Sequence, residues 1–485
     1  MASRQATSNH EGPTSLARAP LAPGILGIVI APIGAGCGRR AFLAVNSIRR
    51  VSVVGLGKLG LCLAAVLASR GFDVRGIDVD QTKVDAVNKG NPQVYEPRLK
   101  GLIKSNSKRL TATTRYDGAI ADADATFVVV PTPSDGSGAF SLEYVKPVME
   151  KIGFELATKR GYHLVVLTST VMPGSTEGVV RPALERASGR VCGKDFGLCY
   201  NPEFIALGDV VRGLLEPDFI LIGESDAKAG TVLEGLQRRI CSNSPPIERM
   251  EFVNAELAKI AVNSFVTMKI SFANTLAEMS ERMPGGDVDK ITRAIGKDTR
   301  IGPSYLRGAL GFGGPCFPRD NVAFARYASR VGAQALIAEA THKVNLLQVE
   351  RVLGLVKRLE LDPNAKVGVL GLAYKPDTNV VEESQSLLLA ERLSRLGYEV
   401  SVFDPAAMDN ARAVLNNSVR FAGSAEECVR GSDCVILATP WRDFRKLPPR
   451  SFRGKKVLDC WRFLGEEVRG VSEYFGAGIG SDFGA

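Results

Sequence analysis

The chain runs to 485 residues, about three times the ~150 that one domain usually takes, so two or three domains with real cores are expected. With 45% hydrophobic, 23% charged and 7% aromatic residues, the composition is that of an ordinary globular protein, which argues against a mostly disordered, collagenous or membrane-embedded chain. The net charge is +9, but residues 1–50 hold six arginines against the single acid Glu11, which leaves only +4 on the body; that balance argues against a nucleic-acid partner and suits a small anionic ligand.

Residues 1–47 are rich in Ala, Gly, Pro and Ser, and the apolar run from Leu21 to Ile33 is broken by Pro23, Gly24, Gly27 and Pro32. That run is too short and broken to span a bilayer. Its basic residues give it a faint look of an export or transit segment, but the segment is read as a disordered extension or a start site assigned too far upstream. No membrane partner is expected. Nine cysteines, an odd number with no CxxC pair, fit free thiols in a reducing compartment, so a cytoplasmic location is expected. Three scattered histidines, His10, His163 and His342, make a His-based zinc site or a Ser-His-Asp triad improbable, and no metal is expected.

From Arg50 the pattern changes to strand, glycine turn, apolar helix, a stop at Gly71, and a second strand, one βαβ unit. Apolar runs at Ala125–Val130, Leu164–Thr168 and Phe219–Ile222 read as further parallel strands of a doubly wound sheet. Between Phe252 and Met283, apolar residues recur at Leu257, Ala261, Phe265, Met268, Phe272, Leu276 and Met279, a helical stripe long enough for a spacer between domains, ended by Pro284, Gly285 and Gly286. Two apolar faces on such a helix would favour a homodimer. A second α/β block opens at Lys366, continues through a helix from about Ser384 to Leu396 and returns as a strand ending near Asp404; Ser432 to Pro440 supplies another strand. The reading is an α/β chain of two Rossmann-like doubly wound parallel-sheet domains joined by a long central helix and helical segment. Its divisions are residues 1–47 as extension, 48–248 as dinucleotide-binding domain, 249–355 as central helical dimerisation domain and 356–485 as C-terminal α/β domain.

The turn Gly55-Leu56-Gly57-Lys58-Leu59-Gly60 follows a strand and opens a helix, so its glycines can turn tightly and admit a pyrophosphate against the backbone. Asp78 ends the next strand, where a carboxylate would bind a ribose diol and repel a 2′-phosphate; NAD is therefore favoured over NADP. In residues 300–320, Gly308, Gly311, Gly313 and Gly314 crowd around Cys316, with Arg319 and Asp320 beside it. Such a loop can present a thiol to a substrate, and neighbouring cations favour the nucleophilic thiolate. From this segment alone, a buried inert thiol is an equal alternative. Lys259 and Asn263 lie four apart on one helix face and can bind an oxyanion or a water, or else be a solvated Lys and a core Asn. The segments Thr168–Thr176 and Asn201–Phe204 read as strand-end loops on the ligand side of the sheet.

These motifs, "GLGKLG", "PTP", "STVMPGST", "NPEF", "ELAKIAVNSF", "GFGGPCFPRD" and "GLAYKPDT" in that order over roughly residues 50–465, resemble the nucleotide-sugar 6-dehydrogenases of the UDP-glucose/GDP-mannose dehydrogenase family. The resemblance implies two NAD-dependent oxidations of a sugar C6 alcohol to a carboxylate, with Cys316 holding a thiohemiacetal and then a thioester. It implies Lys259, Asn263 and Asp320 as holders of water and oxyanion, Glu203 as acid/base, and Thr170 at the same centre. It implies Gly55, Gly57, Gly60, Asp78, Lys83, Thr132, Thr170 and Arg319 around the cofactor. Around the substrate it implies Glu203, Phe204, Lys259, Asn263, Arg300, Tyr305, Gly313 and Lys375, with Arg300 reaching across a dimer interface. The chain departs from the pattern at Leu207, where a second Glu is usual, at Glu382, where an Arg is usual, and at Pro315, where a small Ser is usual. The form "GFGGPCFPRD" is similar to the UDP-glucose type. The same chemistry on GDP-mannose or a UDP-N-acetylhexosamine, and a catalytically weak binding protein on the same fold, are the alternatives.

Overall fold

Runs such as Val51–Val54, Leu164–Leu167 and Cys434–Leu437 are buried along their whole length, as strands covered by helices on both faces must be. The computed structural model describes residues 48–480, so the N-terminal extension, residues 1–47, lies outside the described residues. The first sheet has eight strands, β1 (Arg50–Val54), β2 (Asp73–Ile77), β3 (Leu110–Thr113), β4 (Ala125–Val128), β5 (Leu164–Leu167), β6 (Gly197–Tyr200), β7 (Ile220–Glu224) and β8 (Ile247–Met250), in the order 3-2-1-4-5-6-7-8. The second has six, β9 (Lys366–Leu370), β10 (Glu399–Phe403), β11 (Arg420–Phe421), β12 (Cys434–Leu437), β13 (Lys456–Asp459) and β14 (Glu473–Gly476), in the order 11-10-9-12-13-14. In each sheet the chain order reverses beside the opening strand, at β1/β4 and at β9/β12. Outside the carboxyl ends of strands at such a point, α/β sheets leave a crevice for ligands.

One strand corrects the sequence reading. The run at Phe219–Ile222 becomes β7, which pairs antiparallel with β6, Cys199 facing Glu224 and Tyr200 facing Gly223. An apolar run fixes burial but carries no direction, so composition could not separate the two pairings.

The long central helix, Phe252–Glu281, spans about 45 Å at 1.5 Å per residue and stops before Gly285, which has φ +72°. Its inward face mixes apolar residues such as Phe252, Ile260 and Ala273 with many polar ones. Glu256, Lys259, Asn263, Ser264, Thr267, Ser271 and Asn274 are buried against the rest of the chain. Phe265, Phe272 and Met279 of the apolar stripe are 61%, 53% and 55% exposed. Among the described residues, no helix is long and apolar enough to cross a membrane.

Candidate active site

A cleft of about 800 Å³ lies between the two sheets, lined by the glycine turn, the ends of β1, β2, β4 and β5, the central helix, the thiol loop and residues 374–375. Its cofactor end is built from the glycine turn. A Cβ at Gly60 would collide with the Gly55 carbonyl, so only glycine lets the helix Lys58–Ser69 start this close to β1. At Gly57, by contrast, nothing stands within 4 Å of where a Cβ would be, and no side chain caps the helix. Bare amides facing a cleft are a cradle for a diphosphate. At the far end of this half, Asp78 is 8% exposed. It accepts hydrogen bonds from the Leu56 amide at 2.8 Å and the Asp80 amide at 3.0 Å, with Lys83 Nζ 3.8 Å away. Each oxygen keeps a lone pair for a ribose diol. These residues fit NAD.

A polar chain then runs toward the thiol. Thr132 Oγ1 donates to the Thr170 carbonyl at 2.7 Å, and Arg319 Nη1 donates to the Thr132 carbonyl at 3.1 Å. The Arg319 guanidinium stands 4.8 Å over the Phe140 ring, and its Nε is buried without a hydrogen-bond partner. Cys316 opens the helix Phe317–Arg330 and is open to the cleft, while the other seven described cysteines are buried. The C-terminal lobe reaches this loop directly. The Gly314 amide donates to the Glu382 carbonyl at 3.0 Å, and a Cβ at Gly314, where φ is +84°, would collide with the Tyr374 ring.

On the central helix, Lys259 Nζ donates to the Glu203 carbonyl at 2.7 Å and lies 4.8 Å from the Phe204 ring centre. One turn on, Asn263 Nδ2 donates to Asp320 Oδ2 at 2.7 Å. Asp320 lies behind Asn263, 1% exposed. Its Oδ1 has no hydrogen-bond partner among the described residues, the Arg319 Nη2 cation standing 3.5 Å away. A buried carboxylate oxygen with a spare lone pair is a place for an ordered water. Enclosure pushes the Glu203 carboxyl up to about 7, against the pull of the Lys259 cation. A group poised there can both take and give a proton near neutrality.

The Cys316 thiol corrects an expectation. Enclosure between the lobes raises it above the ordinary thiol value, and the Asp320 and Glu382 carboxylates raise it further, against Lys259 and Arg319. The cations beside it do not win. Iodoacetamide should therefore modify Cys316 at a rate that keeps climbing with pH past the ordinary thiol value of about 8.5. Peptide mass spectrometry across a pH series checks this, and a plateau at lower pH contradicts it.

The remaining residues divide cleanly. Gly55, Thr170, Phe204, Tyr305, Gly313 and Lys375 all line the cleft, with Phe204 4.6 Å from the Phe219 ring and Tyr305 edge-on to Phe317. Arg300 does not. It is exposed and holds Asp298 with two bonds, at 3.0 and 2.7 Å. Leu207 and Pro315 are cleft walls. Sequence reasoning missed Tyr374, Lys58 and Glu256. The Glu256 carboxylate is buried on the central helix and accepts from the Gly174 amide at 2.6 Å and the Thr176 amide at 2.8 Å, tying that helix to the loop that carries Thr170. Its spacing, three residues before Lys259 on the same face, was the available signal.

Comparison with known proteins reaches both sheets and the central helix. The chain matches the UDP-glucose/GDP-mannose dehydrogenase family, NAD binding domain, over residues 49–241, its central domain over 253–346 and its UDP binding domain over 368–466. It is 37% identical to the UDP-glucose 6-dehydrogenase AglM of Haloferax volcanii, over 85% of this chain and 97% of that protein. It is 32% identical to a GDP-mannose 6-dehydrogenase of Pseudomonas aeruginosa, over 86% and 97%. A solved UDP-glucose dehydrogenase from Pyrobaculum islandicum superposes with a TM-score of 0.82 at 36% identity, covering 89% of this chain and 98% of that one. The chain belongs to the UDP-glucose/GDP-mannose dehydrogenase family, as an NAD-dependent nucleotide-sugar dehydrogenase.

Proposed function

We propose that the protein oxidises the C6 hydroxymethyl of UDP-glucose to the carboxylate of UDP-glucuronate, through a covalent sulfur intermediate on Cys316. The observation that carries this reading is Cys316, the one cleft-facing cysteine among the described residues, in the same cleft as the glycine turn and as Lys259 and Asn263, which holds Asp320. When bound, NAD supplies the hydride acceptor for both oxidations. Glu203 takes the C6 hydroxyl proton as the first hydride leaves, giving an aldehyde; the Lys259 ammonium offsets the alkoxide charge in a largely enclosed site. Cys316 Sγ then adds to the carbonyl carbon and its proton passes to the oxygen, which makes a thiohemiacetal. Loss of a second hydride and the hydroxyl proton leaves a thioester. A water held at Asp320 Oδ1 attacks it, the C–S bond breaks, and the acid and free thiol are formed. A single oxidation would need no thiol; the tether keeps the aldehyde from escaping between the two.

UDP-glucose is supported by the identity levels of 37% and 36% to two UDP-glucose dehydrogenases. GDP-mannose is the second reading, favoured by the relative at 32%. Assaying UDP-glucose, GDP-mannose and UDP-N-acetylglucosamine by NADH absorbance separates them. UDP-glucose is expected to give the highest kcat/KM, and a higher value for either other sugar overturns the choice.

The working unit is a homodimer in this reading. Support comes from Phe265, Phe272 and Met279 on the central helix and from Leu336, Ile337, Leu346 and Leu347 on or beside the helix packed against it, all exposed. An apolar stripe of that extent in water calls for a partner. Arg300, outside the cleft of its own chain, would serve the partner's. Light scattering should find a dimer, and Phe272→Asp should give monomers with lost turnover; a monomeric active wild type contradicts the assignment.

A further inference from the structure

We infer that Glu96, which lies outside the cleft lining, is a positioning residue: its carboxylate fixes the loop that carries Glu203 and Phe204 and holds it where the C-terminal lobe touches. The inference rests on the dehydrogenase reading for the role of Glu203. Residues 201–209, between β6 and the helix Val210–Leu215, form neither strand nor helix. The backbone groups of such a loop must find their partners outside any ladder. Upstream, the Asn201 amide donates to the Leu167 carbonyl at 2.8 Å and its Nδ2 to the Leu221 carbonyl at 2.9 Å. Midway, Lys259 holds the Glu203 carbonyl. Downstream, the Glu96 carboxylate accepts from the amides of Gly208 at 3.1 Å, Val210 at 2.8 Å and Val211 at 3.4 Å.

The residue before the helix, Asp209, would ordinarily cap these amides. It makes no such bond and instead takes Arg212 Nε at 2.8 Å. The acid comes from a segment 112 residues before Gly208. Bonds from amides to a carboxylate are roughly twice as strong as neutral ones, so Glu96 is the firm anchor at the far end of the loop. Val94 and Leu207 pack against the same apolar core, which brings the two segments together. The C-terminal lobe meets the same turn. Gly208 has φ +85°, and a Cβ there would collide with the carbonyl of Asp377, itself at φ +62°. Lys375, two residues before that contact, lines the cleft. Releasing Glu96 would therefore displace the acid/base loop and its seat on the opposite lobe together.

The proton affinity of Glu203 reports its position. Enclosure raises its carboxyl to about 7; Lys259, on the central helix, pulls the other way, and the neighbouring Cys241 thiol is itself pushed up to about 11 and stays neutral. A displaced loop admits water and lets Glu203 fall toward the ordinary carboxylate range.

The pH dependence of kcat/KM for UDP-glucose in the wild type, E96D and E96Q tests this, with hydrogen exchange over residues 203–211 measured on the same proteins. E96D keeps the charge and loses the reach, whereas E96Q loses the charge and keeps an oxygen for the Val210 and Val211 amides. Wild-type activity should rise with pH through about 7 as Glu203 becomes a base. E96D should lower kcat roughly tenfold, move that rise down by about half a unit or more and speed exchange across the loop. E96Q should keep most of kcat, the same rise and wild-type exchange at residues 203–206. A wild-type rate and profile in E96D would overturn the inference. So would losses in E96Q as large as those in E96D, which would make the charge of Glu96 the cause and not its reach. If the wild type turns over no sugar nucleotide, the dehydrogenase reading falls instead, and the exchange comparison still decides whether Glu96 holds the loop.

Discussion

Replacing Cys316 with serine is expected to cut steady NADH formation by about three orders of magnitude or more, while NAD binding stays as in the wild type. A serine hydroxyl is a far weaker nucleophile than a thiolate, and the ester it can form is a poorer acyl donor to water than a thioester. Under single turnover the variant should stop on a covalent ester at position 316, visible as added mass on the intact protein. The first oxidation asks nothing of the sulfur, so Cys316→Ala should instead release aldehyde after one hydride. Steady turnover by Cys316→Ser within tenfold of wild type would remove the covalent step from the mechanism.

Lys259→Met carries the second largest expectation, a fall in kcat of about two to three orders of magnitude with little change in KM. The Lys259 ammonium is 6% exposed and already placed against the Glu203 carbonyl at 2.7 Å, so it costs little reorganisation when negative charge develops on the substrate oxygen. A rise in KM with kcat preserved would make Lys259 a ground-state contact only. Unfolding temperature, measured beside the kinetics, separates loss of the Glu203 bond from loss of the charge.

Much of this was legible because local chemistry demanded particular residues. Gly60 has to be glycine to clear the Gly55 carbonyl, and Asp78 has to end a strand to meet a diol, so both could be read before any coordinate. The α/β architecture followed from apolar runs alternating with helical stripes. What the residues hid was everything set by direction or distance. Strand β7 is apolar whichever way it runs. The central helix shows its apolar stripe, but not that Phe265, Phe272 and Met279 of it stand exposed while Lys259 and Asn263 face inward. The Cys316 neighbourhood names two cations and two acids, and only their positions decide that enclosure and Asp320 prevail over Lys259 and Arg319. The substitution at Glu382 reads as a lost cation in the sequence; in the fold its backbone carbonyl takes the Gly314 amide of the thiol loop at 3.0 Å, a contact that no local pattern shows.

The most direct measurement is the ratio of NADH formed to sugar nucleotide consumed, with the product identified by mass spectrometry under limiting UDP-glucose. Two NADH per sugar and a uronate are expected. One NADH and a free aldehyde would contradict the sulfur-tethered oxidation at Cys316.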